Sequence, residues 1–114
     1  MTPDLEQAAR YAAEEILGWT KQTAGWDTNG AELPEYQTNK NPNEYQDTYY
    51  LLTGNGMLEL MEGLESKSYR WYVHSHAGKP FASVAHAVMS IWPDAVEAPT
   101  APEALLLAVW RMKP

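Results

Sequence analysis

"TAPEALLLAVWRM", residues 100–112, starts like a capped helix and then runs through seven apolar residues, Ala104 to Trp110, without a break. Thr100 and Glu103 match the capping box S/T-x-x-E. Pro102 is tolerated in a first turn, and Arg111 and Lys113 stand at the end where a helix favours cations. A helix that is apolar all round must be covered on most of its sides. Full burial of Leu105, Leu106, Leu107 and Val109 would contribute about 1.5–3 kcal/mol each. The rest of the chain therefore has to supply a sheet and at least one further helix to enclose residues 101–112.

A helix is legible at the other end, over 3–17. Thr2 is its N-cap, Pro3 suits the first helical position, and Asp4 and Glu6 complement the dipole. Leu5, Ala8, Ala9, Ala12 and Ile16 form a stripe at helical spacing, Glu6 and Arg10 are an i,i+4 pair, and Gly18 is the stop. A second helix over 54–65 lies in "TGNGMLELMEGLES", capped by Thr53, with Met57, Leu60, Met61 and Leu64 on one face. Between the two, residues 20–47 read as one long polar loop broken by Asn-Gly, Leu-Pro and Asn-Pro. Its aromatics Trp26, Tyr36 and Tyr45 either tack it onto the body or face a partner.

"YRWYVHSH" and "FASVAHAVMSIW" read as a hairpin over 69–76 and 81–92, joined at "AGKP". Closing that turn between Ala77 and Pro80 pairs Trp71 with His86 and Val73 with Val84. Tyr69, Trp71, Val73, Val84, His86 and Val88 then share the buried face. Arg70, Tyr72, His74, His76, Phe81 and Ser83 share the solvated one. The alanines of 81–92 also permit a helix there. The expected fold is a single α+β domain over 1–114 in the order α–α–β–β–α.

Charge divides the chain. Residues 1–65 carry twelve acidic and three basic side chains, a net of −9, whereas 66–114 carry a net of +2, for −7 overall. Nucleic-acid affinity comes mainly from Lys and Arg, so direct nucleic-acid binding is not expected and a basic protein partner is electrostatically easier. A solubilising surface is the plainer reading. With no cysteine, disulfides, thiolate metal sites and a cysteine nucleophile are excluded. No signal peptide is legible in the first residues, and no apolar run approaches the ~20 residues of a membrane span, so a soluble intracellular protein is expected.

Three stretches, "AAEEILGW", "TGNGMLELMEGL" and "EAPTAPEALLLAVWRM", together resemble the phage ABA sandwich domain and related small bacteriophage and prophage proteins. In the middle stretch Asn55, Met57, Glu59 and Leu64 match a family motif running Asp-Leu-Asn-Ala-Met-His-Glu-Ala-Glu and closing three residues on in Leu. The last stretch is similar to the family's closing Thr-Ala-Pro helix, and the first to a helix ending at Gly-Trp. Thr53 stands where the family has Asp, and Gly54 and Gly56 where it has helix formers. The resemblance implies helices on both faces of a small antiparallel sheet, a phage or prophage origin and a bacterial cytoplasmic location. It carries over no catalytic residues.

Little chemistry is legible. His74-x-His76 shares one strand face, but a metal site would need a third ligand from the loop, such as Glu44 or Asp47, and no metal or other cofactor is expected. His86 reads as a hydrogen-bonded core histidine. No nucleophile elbow or phosphate loop is present, so no enzymatic activity is expected. The leading expectation is a non-enzymatic accessory protein that binds a macromolecule, in a sharper form an inhibitor of a bacterial defence or nucleic-acid-binding protein. Its surface would comprise Trp26, Asp27, Glu32, Glu35, Tyr36, Glu44, Tyr45 and Asp47. The alternative is a small anionic ligand or nucleotide at the helix start Thr53, Gly54, Asn55 and Gly56, with Arg70, His74, His76 and Lys79. A terminal helix that one monomer fails to cover would imply a homodimer.

Overall fold

Helix α1 (Pro3–Tyr11) opens where its capping residue dictates, with Thr2 Oγ1 accepting from Leu5 N at 3.2 Å in a computed structural model that describes residues 1–22, 34–40 and 44–113. It continues into a π-helical turn, Ala12–Ile16, where Leu17 N bonds to Ala12 O, five residues back. Gly18 then takes φ +71°, the left-handed conformation of a helix stop. Ala8, Ala9, Ala12 and Ala13 are all fully buried, so this helix meets its neighbours along a strip with almost no side-chain bulk.

Residues 20–47 are not the unbroken loop expected from their composition. Three two-residue strands, β1 (Thr20–Lys21), β2 (Tyr36–Gln37) and β3 (Tyr45–Gln46), pair antiparallel in that order. Such short strands carry too few residues for a period-two pattern to show. A 3-10 turn over Thr48–Leu52 follows and leads into α2 (Gly54–Ser66). Thr53 caps α2 as expected, its Oγ1 accepting from Gly56 N at 3.0 Å, and Leu60, Met61 and Leu64 are buried.

Strands β4 (Tyr69–His76) and β5 (Lys79–His86) form the hairpin, with the short β6 (Val96–Glu97) on the far side of β5. The register differs from expectation by two residues: Trp71 lies opposite Val84 and Val73 opposite Ala82. The turn is only Ala77–Gly78, both at positive φ, the primed two-residue type that matches strand twist. Pro80 had marked the turn, yet it sits within β5 opposite Ser75, at a position that points away from β4. There its missing N–H costs no bond to β4, and its carbonyl accepts from Ala98 N. A slip of two preserves the faces, so Ala82 and Val84 still enter the core.

Two further expectations fail at the end of β5. The strand stops at His86 rather than continuing to residue 92, and His86 and Val88 are exposed, not buried. Met89 N bonds back to His86 O, turning the chain over the sheet's second face, where Trp92 packs on Tyr72 and Ser83 Oγ donates to Pro93 O. That face is therefore not a bare solvated surface: Ser83 and Ala85 are buried on it, outside the main core. The expected helices on both faces are not seen among the described residues. All three helices share one core cluster with the Ala82–Val84 face, and the irregular segment covers the other.

Helix α3 (Ala101–Met112) is the expected interior rod. It packs along β5 and α1 and also touches β4, β6, α2 and the 3-10 turn. Leu105, Leu106 and Val109 are fully buried, while Leu107, expected to join them, stays half-buried. Of the capping box only the Thr100 half forms, with Oγ1 accepting from Glu103 N at 3.4 Å. The described residues form an α+β globule with two three-stranded antiparallel sheets.

Two backbone positions generate predictions. A Cβ on Gly56 would lie 2.0 Å from Tyr50 O, a backbone atom with no room to retreat. Gly56→Ala will therefore destabilise by about 1–3 kcal/mol or more, measured by urea unfolding, despite alanine's better helix propensity. Ala77, at φ +53°, pays for a conformation that asparagine adopts readily. Ala77→Asn will raise the unfolding free energy by roughly 0.5–1 kcal/mol in the same assay.

Candidate functional site

Of the residues expected to face a partner, Glu35, Tyr36 and Asp47 have side chains engaged within the fold. Trp26, Asp27 and Glu32 lie outside the described residues. Tyr36, central to that set, is fully buried against Trp19, with its hydroxyl donating to Glu14 Oε2 at 2.8 Å. Burial first and the Glu14 carboxylate second raise its phenol well above the ordinary tyrosine range. Glu35 pairs with Arg10 at 2.8 Å, and Asp47 Oδ1 accepts from Glu35 N at 3.0 Å. Glu44 accepts Thr38 N through its carbonyl, and Tyr45 pairs with Gln37 across β2–β3. Glu35 and Tyr36 are thereby fixed to α1 and the π turn, through Arg10 and Glu14.

The alternative ligand set does not converge. The start of α2 is packed against the backbone at Tyr50, whose carbonyl accepts from Thr53 N and from Thr53 Oγ1. Gly54 and Asn55 are exposed there, and among the described residues no charged side chain of the hairpin is hydrogen-bonded to them. Lys79 pairs with Glu97 at 3.3 Å at the turn end of the hairpin. Arg70, near the other end, lies 4.7 Å over the Trp92 ring and donates through Nη2 to Met89 O. His74 stacks on Phe81 at 5.4 Å and on Tyr72 at 5.4 Å, and His76 flanks the turn. Among the described residues no group of three His, Asp or Glu side chains is placed to hold a metal ion.

A cleft of about 480 Å³ lies between the end of the π turn and α2, lined by Leu17, Trp19, Lys40, Glu59 and Gly63. Its central carboxylate, Glu59, accepts from Lys40 Nζ at 2.6 Å and from Tyr50 Oη at 2.7 Å. The Glu59 bond, more than burial, raises the Tyr50 phenol. With both donors in place, Glu59 ties the 39–40 segment to α2 and is already neutralised by Lys40. It has the environment of an ionic clasp rather than of a general base.

The outer face of the hairpin is different in kind. Trp92, Tyr72, His74 and Phe81 run across it in successive ring contacts, from an edge-on pair at 4.9 Å to near-parallel stacking at 5.4 Å and 11°. Beside them the turn after β5 presents Val88, 94% exposed, Ile91, 77% exposed, and Met89, 42% exposed. A groove of about 340 Å³, lined by Glu65, Tyr69, Arg70, Trp71 and Trp92, borders the start of β4. Scattered exposed apolar residues are ordinary, but three within four positions of one turn are a local concentration of the kind that marks an interaction site. The β-rich composition of 81–92 extends the expected strand through 88–91 and places Val88 on its buried face. The exposed position could have been suspected only from the length, twelve residues for one strand when five or six is usual.

Among the described residues no helix is long and apolar enough to cross a membrane. Compared with protein families, curated proteins and solved structures, the chain matches none.

The Tyr36 environment sets an alkaline limit on stability. Its folded pKa lies above the unfolded value, so its contribution is fully present below about pH 10 and is lost as pH rises toward the folded value. Tyr36→Phe will cost roughly 0.5–1.5 kcal/mol at neutral pH by removing the bond to Glu14. In denaturant melts taken from pH 8 to 12 the gap between the two proteins will close. Tyr11 and Tyr50, also raised, will leave the variant a residual slope.

Proposed function

We propose that this protein is a non-enzymatic binding module that recognises a protein partner through the outer face of its hairpin and the adjoining apolar turn. The observation that carries this reading is the apolar run Val88, Met89 and Ile91, in which Val88 and Ile91 are more exposed than any other large apolar side chain among the described residues. Leaving such groups in water forgoes about 1.5–3 kcal/mol for each that burial would recover, and a partner surface is where that gain is available. The aromatic row beside them adds rigid contact area that costs little side-chain entropy to order.

The net charge of −7 favours a basic partner by steering and disfavours a nucleic acid. The likeness of the three helix anchors to phage ABA sandwich proteins supports a phage or prophage accessory role inside a bacterium, and an anti-defence role is one form of it. The internal engagement of Glu35, Tyr36 and Asp47 moves the proposed surface from the 26–47 segment to the hairpin.

Affinity capture from bacterial lysate with tagged wild type, Val88→Glu and Ile91→Glu tests this. The expected result is one stoichiometric protein recovered by the wild type and lost by both variants, with melting temperatures unchanged to within the effect of about 0.5 kcal/mol typical of surface changes. Retention of the same protein by both variants would show that the turn is not the surface.

A further inference from the structure

The outer edge of β4 pairs with no other strand among the described residues. β4 is the terminal strand of its sheet and, at eight residues, the equal of β5 in length. In a two-residue hairpin the pair flanking the turn, His76 and Lys79, exchanges hydrogen bonds and the pairing then alternates. The outermost bond agrees with this phase: Ala87 N donates to Ser68 O at 2.8 Å, on the even-numbered side of the alternation. Tyr69, Trp71, Val73 and Ser75 consequently turn their N–H and C=O groups away from β5. Among the described residues no backbone group pairs with them.

Natural edges of this length are blunted by lysine, proline, a bulge or a covering loop. β4 contains no lysine, proline or glycine, and its one cation, Arg70, is held on the Trp92 ring and at Met89 O. The groove of about 340 Å³ borders this edge. One wall comes from the core side of the sheet, Trp71 with Glu65, whose Oε1 accepts from Trp71 Nε1 at 3.3 Å. The other comes from the outer side, Trp92 with Arg70. Arg70 Nε is enclosed without an acceptor among the described residues.

We infer that the β4 edge pairs with an extended segment of a partner protein whose residues alternate between basic and apolar. The inference rests on the protein-binding reading above and specifies its chemistry. Residues of the added strand directly opposite Trp71 and Val73 lie on the core side and make the backbone bonds. A lysine or arginine there lays its aliphatic stem along the Trp71 indole and reaches the exposed Glu65 carboxylate, with Glu62 one turn earlier on the same helix. Intervening residues lie on the outer side, where Trp92 and the Val88–Ile91 turn offer apolar contact. Main-chain bonds supply affinity and alternate side chains supply specificity, as in strand addition generally.

The test uses the full chain and synthetic seven-residue probes, measured by tryptophan fluorescence and calorimetry. The alternating lysine–valine peptide is expected to bind at least tenfold tighter than its glutamate–valine counterpart. N-methylation of its lysines, which removes the N–H groups directed at β4, is expected to weaken binding tenfold or more, and N-methylation of its valines to change it less than twofold. Glu65→Gln is expected to lower the affinity several-fold and reduce its salt dependence. Equal effects of the two N-methylated sets, or a preference for the glutamate peptide, would overturn the strand pairing. So would sedimentation showing that the free chain dimerises and that the lysine–valine peptide fails to dissociate it. If the probes fail while Val88→Glu still abolishes capture of the lysate protein, the strand falls and the binding reading stands; loss of both retires both.

Discussion

Everything in this fold is arranged around the burial of α3. Three fully enclosed side chains, Leu105, Leu106 and Val109, remove enough apolar surface to contribute several kcal/mol between them, a large share of what a domain of this size retains after paying for chain entropy. A helix apolar on all sides needs neighbours on all sides. β5 supplies the inner face of a sheet and α1 supplies an alanine strip that lets two helix backbones approach closely. α2 and the 3-10 turn close the remaining gap. Tyr11 and Trp110 meet edge-on at 5.9 Å where the helices reach the surface.

That central demand explains why one face of the hairpin is well made and the other is improvised. Ala82 and Val84 on the inner face are committed to the core. Among the described residues no helix covers the outer face, and the chain uses the irregular segment after His86, pinned by Ser83 to Pro93 O and by Trp92 on Tyr72. A short irregular segment cannot shelter all of its own apolar side chains while its backbone also turns. Val88, Met89 and Ile91 are the ones left outside. The candidate surface and the unpaired β4 edge thus follow from the same shortage of covering structure.

The polar half of the chain solves a different problem. Residues 34–40 contain too few apolar groups to hold themselves down, and they are fastened by single strong contacts instead. Tyr36 enters the core and ends on Glu14, Glu35 meets Arg10, Asn39 Nδ2 donates to Leu17 O at 2.7 Å, and Lys40 clasps Glu59. Part of the acidity that suggested an outward-facing surface is consumed by these ties.

Local rules were legible in the residues themselves. The caps at Thr2, Thr53 and Thr100, the stop at Gly18, the apolar faces of the three helices and the division of β4 and β5 side chains between two faces all depend on neighbours within a few positions. Hydrogen-bond rings and side-chain periods are set at that range. What a side chain finally meets is set elsewhere. Tyr36 becomes core because Glu14, 22 residues away, waits for its hydroxyl, and Pro80 becomes a strand residue because its missing donor falls on the side β4 does not use. Val88 and Ile91 become surface because three helices had already filled the opposite side of the sheet. Apolar character states that burial is favourable; only the competition among distant segments for one small interior decides which residues obtain it.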